Sequence, residues 1–295
     1  MVAPDLPRRI AFLGFGLIGG SIAKALRRGG RSVDLTAWTP SGIGPTAGAR
    51  LGVLDRAAAP PEAAIDGAEL IVLAGPPLAV LANLADLAGP WHAQLAPHAT
   101  ITDVASTKGD IVAAASALGL SFVGGHPMAG REASGIDASV PDLFVDRPWV
   151  VAPASGAGEW DVARVEALAG ALGARSVRMA PDAHDHAVAA ISHLPLVVAA
   201  ALVESVTSGP DWATERGLAA TGWADMTRLA RGGPEMGADI LATNAAAVAG
   251  RLRELRRALD AWIEALEVGT DRPDATQLRE RLANARDALM TGTEP

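Results

Sequence analysis

The sequence contains no cysteine and no tyrosine, and lysine occurs only at Lys24 and Lys108. The absence of cysteine excludes disulfides, thiolate metal sites and cysteine nucleophiles, and it is compatible with a reducing cytoplasm. Trp and Phe are also sparse, so the core must be built mainly from aliphatic side chains. The chain has 295 residues, about half of them apolar, which is enough for two domains of ordinary size.

The charge and the apolar runs predict where the protein acts. A formal net charge of −8 argues against a nucleic-acid or anionic-membrane partner. Arg8 and Arg9 before the apolar stretch 10–26 resemble a twin-arginine export signal, but glycines at turn spacing interrupt that stretch. The later apolar run 187–203 is shorter than the ~20 residues that a membrane helix needs. We therefore expect a soluble, cytoplasmic protein with a small-molecule substrate and without a nucleic-acid or membrane partner.

The first half of the sequence alternates short apolar runs with helical stretches, a pattern typical of a parallel sheet wrapped by helices. It predicts an α/β Rossmann-type dinucleotide-binding domain. The predicted strands are 9–13, 33–38, 70–73, 99–103, 121–123, 149–152 and 176–179. The predicted helices between them are 17–28, 77–87, 108–118 and 159–172.

No strand is predicted after residue 180, where helical spacing of Ala, Leu, Arg and Glu takes over. The predicted helices are 182–206, with an interruption near Pro195 because proline has no amide hydrogen, then 236–266 and 274–290. We therefore predict a dinucleotide-binding domain at 1–180 and an all-α substrate and dimerisation domain at 181–295. An apolar stripe within this second domain favours a homodimer surface over a core, and it consists of Leu252, Leu255, Leu259 and Ile263.

The motif Gly14-x-Gly16-x-x-Gly19 follows a predicted strand and opens a predicted helix. In this context the glycines permit a tight turn, close approach of pyrophosphate and packing of helix on strand. The amides at the helix start then face the phosphates. The motif thus predicts a dinucleotide site rather than a glycine-rich turn without a ligand.

The choice between NAD and NADP stays open at this point. An NAD site usually has an acid about twenty residues further on to hold the ribose, but residues 37–41 include no carboxylate. Thr39 and Ser41 could hydrogen-bond a 2′-phosphate, although no arginine stands beside them. The expected cofactor-binding residues are Gly14, Gly16, Leu17, Ile18, Gly19, Thr39, Ser41, Pro76 and Asp103.

The segment 103–108, Asp-Val-Ala-Ser-Thr-Lys, is predicted at the carboxyl end of a strand, where open α/β sheets bind ligands. Thr107 and Asp110 match a capping pair for the following helix. If Thr107 caps the helix, Ser106 is free to face the nicotinamide, and otherwise Ser106 is itself the cap.

His126 stands between Gly125 and Pro127, which predicts a rigid turn just past a strand end. The alternative is a surface-loop histidine. A neutral imidazole with a pKa near its ordinary value of ~6.5 is suited to accept a hydroxyl proton at physiological pH. We therefore expect His126 to act in proton transfer.

The helical half supplies further candidates. His184, His186 and His193 lie on one predicted helical segment, but without a clustered acid or cysteine we expect no metal site. His193, next to the proline, is the active-site candidate. Arg228 could clamp a carboxylate through its guanidinium, the alternative being a surface salt bridge.

Taken together, these motifs resemble the prephenate/arogenate dehydrogenases of tyrosine biosynthesis, in order from residue 9 to about residue 265. The motifs are the turn 14–19, the segment 103–108, Gly125-His-Pro-Met-Ala-Gly130 with Glu132, His184-Asp185, Ser192-His-Leu-Pro195 and Thr227-Arg228. The resemblance implies oxidation and decarboxylation of prephenate or arogenate with NAD or NADP. It implies His126, Ser106 and His193 as catalytic residues, and it implies Arg228, Glu132 and Lys108 as substrate-binding residues.

Two positions depart from the family pattern. Leu196 stands where a second histidine is common, and Ala224 stands where a basic residue is common, so the choice between prephenate and arogenate stays open. One alternative is another two-domain dehydrogenase of a hydroxy acid or imine, which usually relies on a lysine in the helical half. No lysine follows Lys108. The other alternative is a non-catalytic nucleotide-sensing protein.

Overall fold

A computed structural model describes residues 6–131, 133–267 and 273–291. Its strands are β1 (Arg9–Leu13), β2 (Asp34–Trp38), β3 (Arg56–Ala57), β4 (Leu70–Leu73), β5 (Thr100–Asp103), β6 (Phe122–Pro127), β7 (Pro148–Pro153) and β8 (Arg175–Arg178). The helices among them are α1 (Leu17–Arg28), α2 (Ile43–Arg50), α3 (Pro61–Ile65), α4 (Pro77–Ala88), α5 (Gly109–Ala117) and α6 (Glu159–Ala171). The α/β class predicted for this part of the chain is confirmed.

All eight strands form one sheet in the order β3-β2-β1-β4-β5-β6-β7-β8. The pairs from β3 to β6 are parallel, whereas β7 is antiparallel to β6 and β8 is parallel to β7. The expected parallel sheet is therefore confirmed from β3 to β6, and only the pairing of β7 with β6 departs from it. The strand order reverses its direction between β1 and β4. Open α/β sheets bind ligands at such a switch point.

The sheet has a hydrophobic core on each face. Alternate residues of β1 point to opposite sides, so that Ile10 and Phe12 belong to one cluster and Ala11 and Leu13 to the other. Helices α1 and α6 cover the first cluster, and helices α4 and α5 cover the second. Burial on both faces explains why these strands are continuously apolar.

Only helices follow β8 among the described residues. They are α7 (Pro181–Val188), α8 (Leu194–Thr207), α9 (Trp212–Leu218), α10 (Thr221–Met226), α11 (Pro234–Thr243), α12 (Ala245–Glu267) and α13 (Ala275–Thr291). A π-helical turn, Ala189–His193, joins α7 to α8. The interruption predicted near Pro195 is therefore a change of helical pitch, with Pro195 itself in the first turn of α8. The single helix predicted at 236–266 is wrong, because it breaks at Asn244.

By length and composition the stretch Pro181–Thr207 could cross a membrane, and it is the one such helix in the described part of the chain. The helical stretch matches the predicted helix 182–206, and it is longer than the apolar run 187–203 within it. A core helix of a soluble protein passes the same test. This stretch carries three buried polar side chains, His184, Asp185 and His193, which belong to the site described below.

The chain forms two compact units, Met1–Ala247 and Val248–Pro295. The predicted domain boundary at residue 180 stays a prediction, because the two compact units meet after Ala247 instead. In the second unit the guanidinium of Arg281 lies 4.2 Å from the ring centre of Trp262 and donates a 2.6 Å hydrogen bond to the carbonyl of Ala261. All the candidate catalytic residues lie in the first unit.

Candidate active site

The turn between β1 and α1 leaves space for a phosphate group. Gly14 has a φ of +101°, and a Cβ atom there would stand 2.5 Å from the carbonyl carbon of Ala74, so this position requires glycine. At Gly16, by contrast, a Cβ atom would meet nothing within 4 Å. The first turn of α1 has no acidic residue and no side-chain cap. Its free amides and helix dipole therefore favour an anion, which fits a dinucleotide pyrophosphate.

The other expected cofactor residues at this edge start two helices. Leu17, Ile18 and Gly19 form the first turn of α1. Pro76 immediately precedes α4, at the end of β4. Because β1 and β4 are paired and parallel, both helix starts lie at the same edge of the sheet. The contacts of these residues with a cofactor stay predictions.

A surface cleft of about 530 Å³ lies beyond the end of β2, and Ser41, Thr46 and Arg50 line it together with Asp137. Thr39 Oγ1 accepts a 3.1 Å hydrogen bond from the amide of Gly42, and so it shapes the turn that leads into α2. Arg50 is the last residue of α2, and neither the helix nor a role for Arg50 was predicted; Arg50 lines the same cleft as Ser41.

Asp103 and Lys108 are fully buried and contact each other through Lys108 Nζ and Asp103 Oδ2. Asp103 also accepts hydrogen bonds from the amides of Ala105, at 3.0 Å, and Gly125, at 2.9 Å. Burial raises the pKa of Asp103 and lowers the pKa of Lys108. Their ion pair offsets part of the free-energy cost of burying the two charges. It also joins the two ends of the segment 103–108. The expected contacts of Asp103 with cofactor and of Lys108 with substrate stay predictions.

The start of α5 is capped by a residue of another helix. The expected capping pair of Thr107 and Asp110 is wrong, because no side chain of this segment caps the helix. The amides of Lys108 and Gly109 instead donate to the two carboxylate oxygens of Asp185, each at 2.7 Å. Asp185 comes from α7, so this cap depends on a contact across 76 residues of sequence that no local pattern predicts.

Ser106 and Thr107 differ in their surroundings. Thr107 is buried, and its Oγ1 lies 2.8 Å from Oγ1 of Thr243. Ser106 is partly exposed, and its hydroxyl makes no hydrogen bond within the described residues. Ser106 thus remains available to a ligand at the carboxyl end of β5, and its catalytic role stays a prediction.

His126 lies within β6, opposite Val150 of β7. The expectation of a turn just past the strand end is therefore wrong. Antiparallel pairing with β7 extends β6 to Pro127, and this pairing was not predicted. The ladder fixes the backbone of His126. Since β6 is three strands from β1, the end of the strand that carries His126 lies roughly 14 Å along the same sheet edge from the glycine turn.

His126, His184 and Asp185 form a hydrogen-bonded chain. His126 Nδ1 lies 2.8 Å from His184 Nε2, and His184 Nδ1 lies 2.7 Å from Asp185 Oδ1. His184 and Asp185 are both buried. Burial by itself would raise the pKa of Asp185, yet its hydrogen bonds bring that pKa below the ordinary value. The chain therefore ends in a carboxylate.

The carboxylate determines the direction of the hydrogen bonds. Because ionised Asp185 can only accept, His184 Nδ1–H donates to it, and in this tautomer Nε2 of His184 is an acceptor. His126 Nδ1–H then donates to His184. Burial lowers the pKa of His126 well below its ordinary value of 6.5, and nearby His184, Lys108 and His193 lower it further. His126 is thus neutral, with the lone pair of Nε2 left to accept a proton.

His193 is held by a second hydrogen bond network. Its side chain is 2% exposed, and Asn244 Nδ2 lies 3.2 Å from its Nδ1. The same nitrogen of Asn244 donates to the carbonyl of Asp185 at 2.8 Å. Burial lowers the pKa of His193 to about 4, so this imidazole too is neutral at physiological pH. The site therefore contains two neutral imidazoles, those of His126 and His193.

Two predicted substrate ligands are less closely tied to this cluster. Arg228 is exposed at the start of the 3₁₀ turn Arg228–Arg231. Thr227 before it is buried and donates from its hydroxyl to the carbonyl of Trp223 at 2.7 Å. Glu132 lies outside the described residues. The roles of Arg228 and Glu132 in binding substrate stay predictions.

The residues that sequence reasoning did not assign a role are His184, Asp185 and Asn244. His184-Asp185 is one of the motifs of the family resemblance, but neither residue was given a role. Asn244 gave no signal, because the helix predicted through it hid the break at which it stands. In the described ranges no group of three or more His, Asp or Glu side chains is placed to hold a metal ion.

Comparisons with known proteins agree with this geometry. A family described as "Prephenate dehydrogenase, nucleotide-binding domain" matches residues 22–178, and one described as "Prephenate dehydrogenase, dimerization domain" matches residues 180–284. The chain is 32% identical over 282 residues to the prephenate dehydrogenase of Bacillus subtilis (strain 168), which covers 94% of this chain and 74% of the relative.

Two solved structures are similar over nearly the whole chain. Prephenate dehydrogenase from A. aeolicus, in complex with hydroxyphenyl propionate and NAD+, is 26% identical with a TM-score of 0.83 and covers 96% of both chains. Synechocystis arogenate dehydrogenase is 32% identical with a TM-score of 0.76, covering 95% of this chain and 99% of the other.

Proposed function

Because the chain belongs to the prephenate dehydrogenase family, we propose that it oxidises and decarboxylates prephenate or arogenate in tyrosine biosynthesis. The reaction transfers a hydride to NAD or NADP and yields 4-hydroxyphenylpyruvate or tyrosine. The observation that carries this proposal is the chain from His126 through His184 to Asp185, which leaves one imidazole nitrogen unprotonated at the sheet edge that bears the glycine turn.

His126 has the properties that the proton-transfer step needs. Its Nε2 accepts the proton of the ring hydroxyl as hydride leaves the carbon that bears this hydroxyl. Bound NAD or NADP supplies the hydride acceptor. The ring carboxylate then leaves as carbon dioxide, its bonding electrons complete the aromatic ring, and the ring oxygen takes the proton back from His126 to give the phenol. Ser106 would orient the hydroxyl, since it is partly exposed at the neighbouring strand end.

The proton that His126 receives creates a positive charge on a partly buried ring. His126 Nδ1–H already donates towards His184, so the charge can be shared along the 2.8 Å contact. His184 in turn lies 2.7 Å from the carboxylate of Asp185. The carboxylate therefore stabilises protonated His126 through His184, while burial lowers the pKa of His126 and keeps its imidazole neutral before the reaction.

The residues that would hold the dinucleotide are the turn 14–19 and the residues around α2. Gly16 leaves room for pyrophosphate, and α1 presents its free amides there. Arg50 shares the cleft beyond β2 with Ser41 and Thr46, which supports acceptance of the 2′-phosphate of NADP.

We expect Arg50→Ala to raise the KM for NADP about 10-fold and to change the KM for NAD little. Equal KM values for NADP in wild type and variant would contradict this role.

A homodimer is part of the proposal. The family of the second matched region is described as a dimerization domain, and α12 exposes Leu259 and Ile263 on one face of the single chain. An exposed apolar stripe of this kind is typical of a surface that associates with a second copy.

Steady-state kinetics with four substrate pairs test the proposed function. Purified protein is assayed with prephenate or arogenate, each with NAD or NADP, by following reduced cofactor and aromatic product together. Turnover of one or both substrates is expected. Turnover of a small hydroxy acid or imine alone would favour the alternative dehydrogenase, and cofactor binding without any turnover would favour a sensing protein.

A further inference from the structure

His193 carries a buried polar atom that nothing in the described residues satisfies. Its Nε2 is fully shielded and has no hydrogen-bond partner there, although its Nδ1 is engaged by Asn244. A buried polar atom without a partner is costly, and native structures seldom retain one without a use. The unpaired nitrogen lies in the same cluster as His126, whose pKa His193 lowers.

Asn244 determines which nitrogen of His193 carries the proton. The 2.8 Å contact of Asn244 with the carbonyl of Asp185 requires the NH₂ group of the amide, because a carbonyl can only accept. The second hydrogen of that NH₂ group then faces Nδ1 of His193 at 3.2 Å. Nδ1 must accept, and in a neutral imidazole the proton is therefore on Nε2. The unpaired atom is a hydrogen-bond donor.

Both residues are held in place by the surrounding fold. His193 ends the π-helical turn Ala189–His193, and such turns occur frequently at functional sites. Asn244 is the single residue between α11 and α12. Next to it, Thr243 donates to the carbonyl of Asp239 at 2.8 Å and contacts the hydroxyl of Thr107. The amide of Asn244 thus has little freedom to turn.

We propose that Asn244 is a positioning residue that fixes His193 as an Nε2–H donor to an oxygen atom of the bound substrate. The inference rests on the proposed function, since it takes prephenate or arogenate as the ligand. Both compounds carry carboxylate oxygens, which accept hydrogen bonds strongly. The site then holds two neutral imidazoles with opposite hydrogen-bonding roles, because His126 accepts a hydrogen bond from the substrate and His193 donates one.

The tautomer of His193 can be measured directly. Nitrogen-15 NMR of the free enzyme distinguishes a proton on Nε2 from one on Nδ1. Wild type is expected to show His193 protonated on Nε2, and Asn244→Asp, which replaces the NH₂ donor by an acceptor, is expected to move the proton to Nδ1. A wild-type proton on Nδ1, or an unchanged tautomer in folded Asn244→Asp, would overturn the role of Asn244.

Two variants of His193 test the donor without altering Asn244. Glutamine can place an amide NH₂ near the position of Nε2, whereas asparagine reaches only the position of Nδ1. We expect His193→Asn to raise the KM for substrate roughly 10-fold to 100-fold, with His193→Gln closer to wild type and the Kd for cofactor unchanged in both. Equal KM values for the two variants would overturn the donor role.

The two kinds of failure are distinguishable. If wild type turns over neither prephenate nor arogenate, the proposed function fails and the substrate part of this inference fails with it. The tautomer measurement needs no substrate, and so it still decides whether Asn244 controls His193.

Discussion

At the scale of single residues, the site depends on protonation states that hydrogen bonds define. Asp185 is ionised because two backbone amides and His184 donate to it. His126 is neutral because burial and neighbouring groups lower its pKa. Each state follows from contacts between segments far apart in sequence. The chemistry of His126 is therefore a property of its neighbours as much as of its own ring.

Replacement of His126 separates its two nitrogens. His126→Asn keeps a polar atom near Nδ1 for His184 but removes the acceptor at Nε2. We expect turnover to fall by roughly 10²-fold to 10⁴-fold while the Kd for cofactor changes little. The measurement is kcat with cofactor binding by fluorescence or calorimetry. Near-normal turnover in His126→Asn would remove this histidine from the mechanism.

The two neutral histidines also predict how stability depends on pH. Both have a lower pKa in the folded chain than the ordinary value of 6.5, and that of His193 is about 4. Below pH ~6.5 the unfolded chain therefore binds protons that the folded chain does not, so the free energy of unfolding falls as the pH decreases towards about 4. Above pH ~6.5 this contribution is fully present.

The comparison of wild type with His193→Gln isolates one of these histidines. Urea unfolding at about pH 7 and about pH 5 gives the loss of stability on acidification for each protein. We expect a smaller loss for His193→Gln, because glutamine does not titrate. An equal loss in both proteins would mean that His193 is not a buried neutral group.

At the scale of elements, the segment between β5 and α5 is held in place by contacts at both of its ends. The ion pair of Asp103 and Lys108 joins its two ends inside the protein, and Asp185 caps the helix that follows. Ser106 lies between these fixed points. The position of its hydroxyl thus depends on contacts with β6 and α7 as well as on the local chain.

Removal of one partner of the buried pair should be costly. Lys108→Met leaves the carboxyl of Asp103 buried without its cation, and we expect a loss of about 3–5 kcal/mol in the free energy of unfolding. The double variant Asp103→Asn/Lys108→Met, which removes both charges, should lose less. Chemical denaturation measures both. Equal losses in the single and the double variant would show that the charge itself is not what matters.

The sequence predicted elements whose signal is local. The bounds of α1 were predicted correctly from the glycine turn, and β1 and β4 from their apolar runs. The extension of β6 through His126 was not predicted, because it depends on antiparallel pairing with β7. For the same reason the links of His126 to His184 and of His193 to Asn244 were missed. They join residues that are 58 and 51 positions apart.

At the scale of the whole molecule, helix α12 leaves large apolar side chains exposed on the single chain. On α12, Leu259 and Ile263 are 52% and 51% exposed. They are four positions apart and so lie on one face of the helix. A face of this kind would be covered by a second copy in a homodimer.

A charge on that face tests the dimer. The double variant Leu259→Glu/Ile263→Glu should weaken association at least 10-fold, because two carboxylates would have to leave water in the interface. Arg257→Glu, on the opposite face of the same helix, is the matched control. Analytical ultracentrifugation gives the dissociation constants. A dimer of unchanged affinity in the double variant would place the interface elsewhere.

Asp185 belongs to two structures at once, because the carboxylate that terminates the histidine chain also receives the amide of Gly109 at the start of α5. Any gain of a proton by His126 or His184 draws electron density from this carboxylate and weakens its hold on that amide. The Gly109 amide should consequently exchange faster with deuterium when the imidazoles gain positive charge. This exchange rate is measured on the backbone and needs no label on either ring.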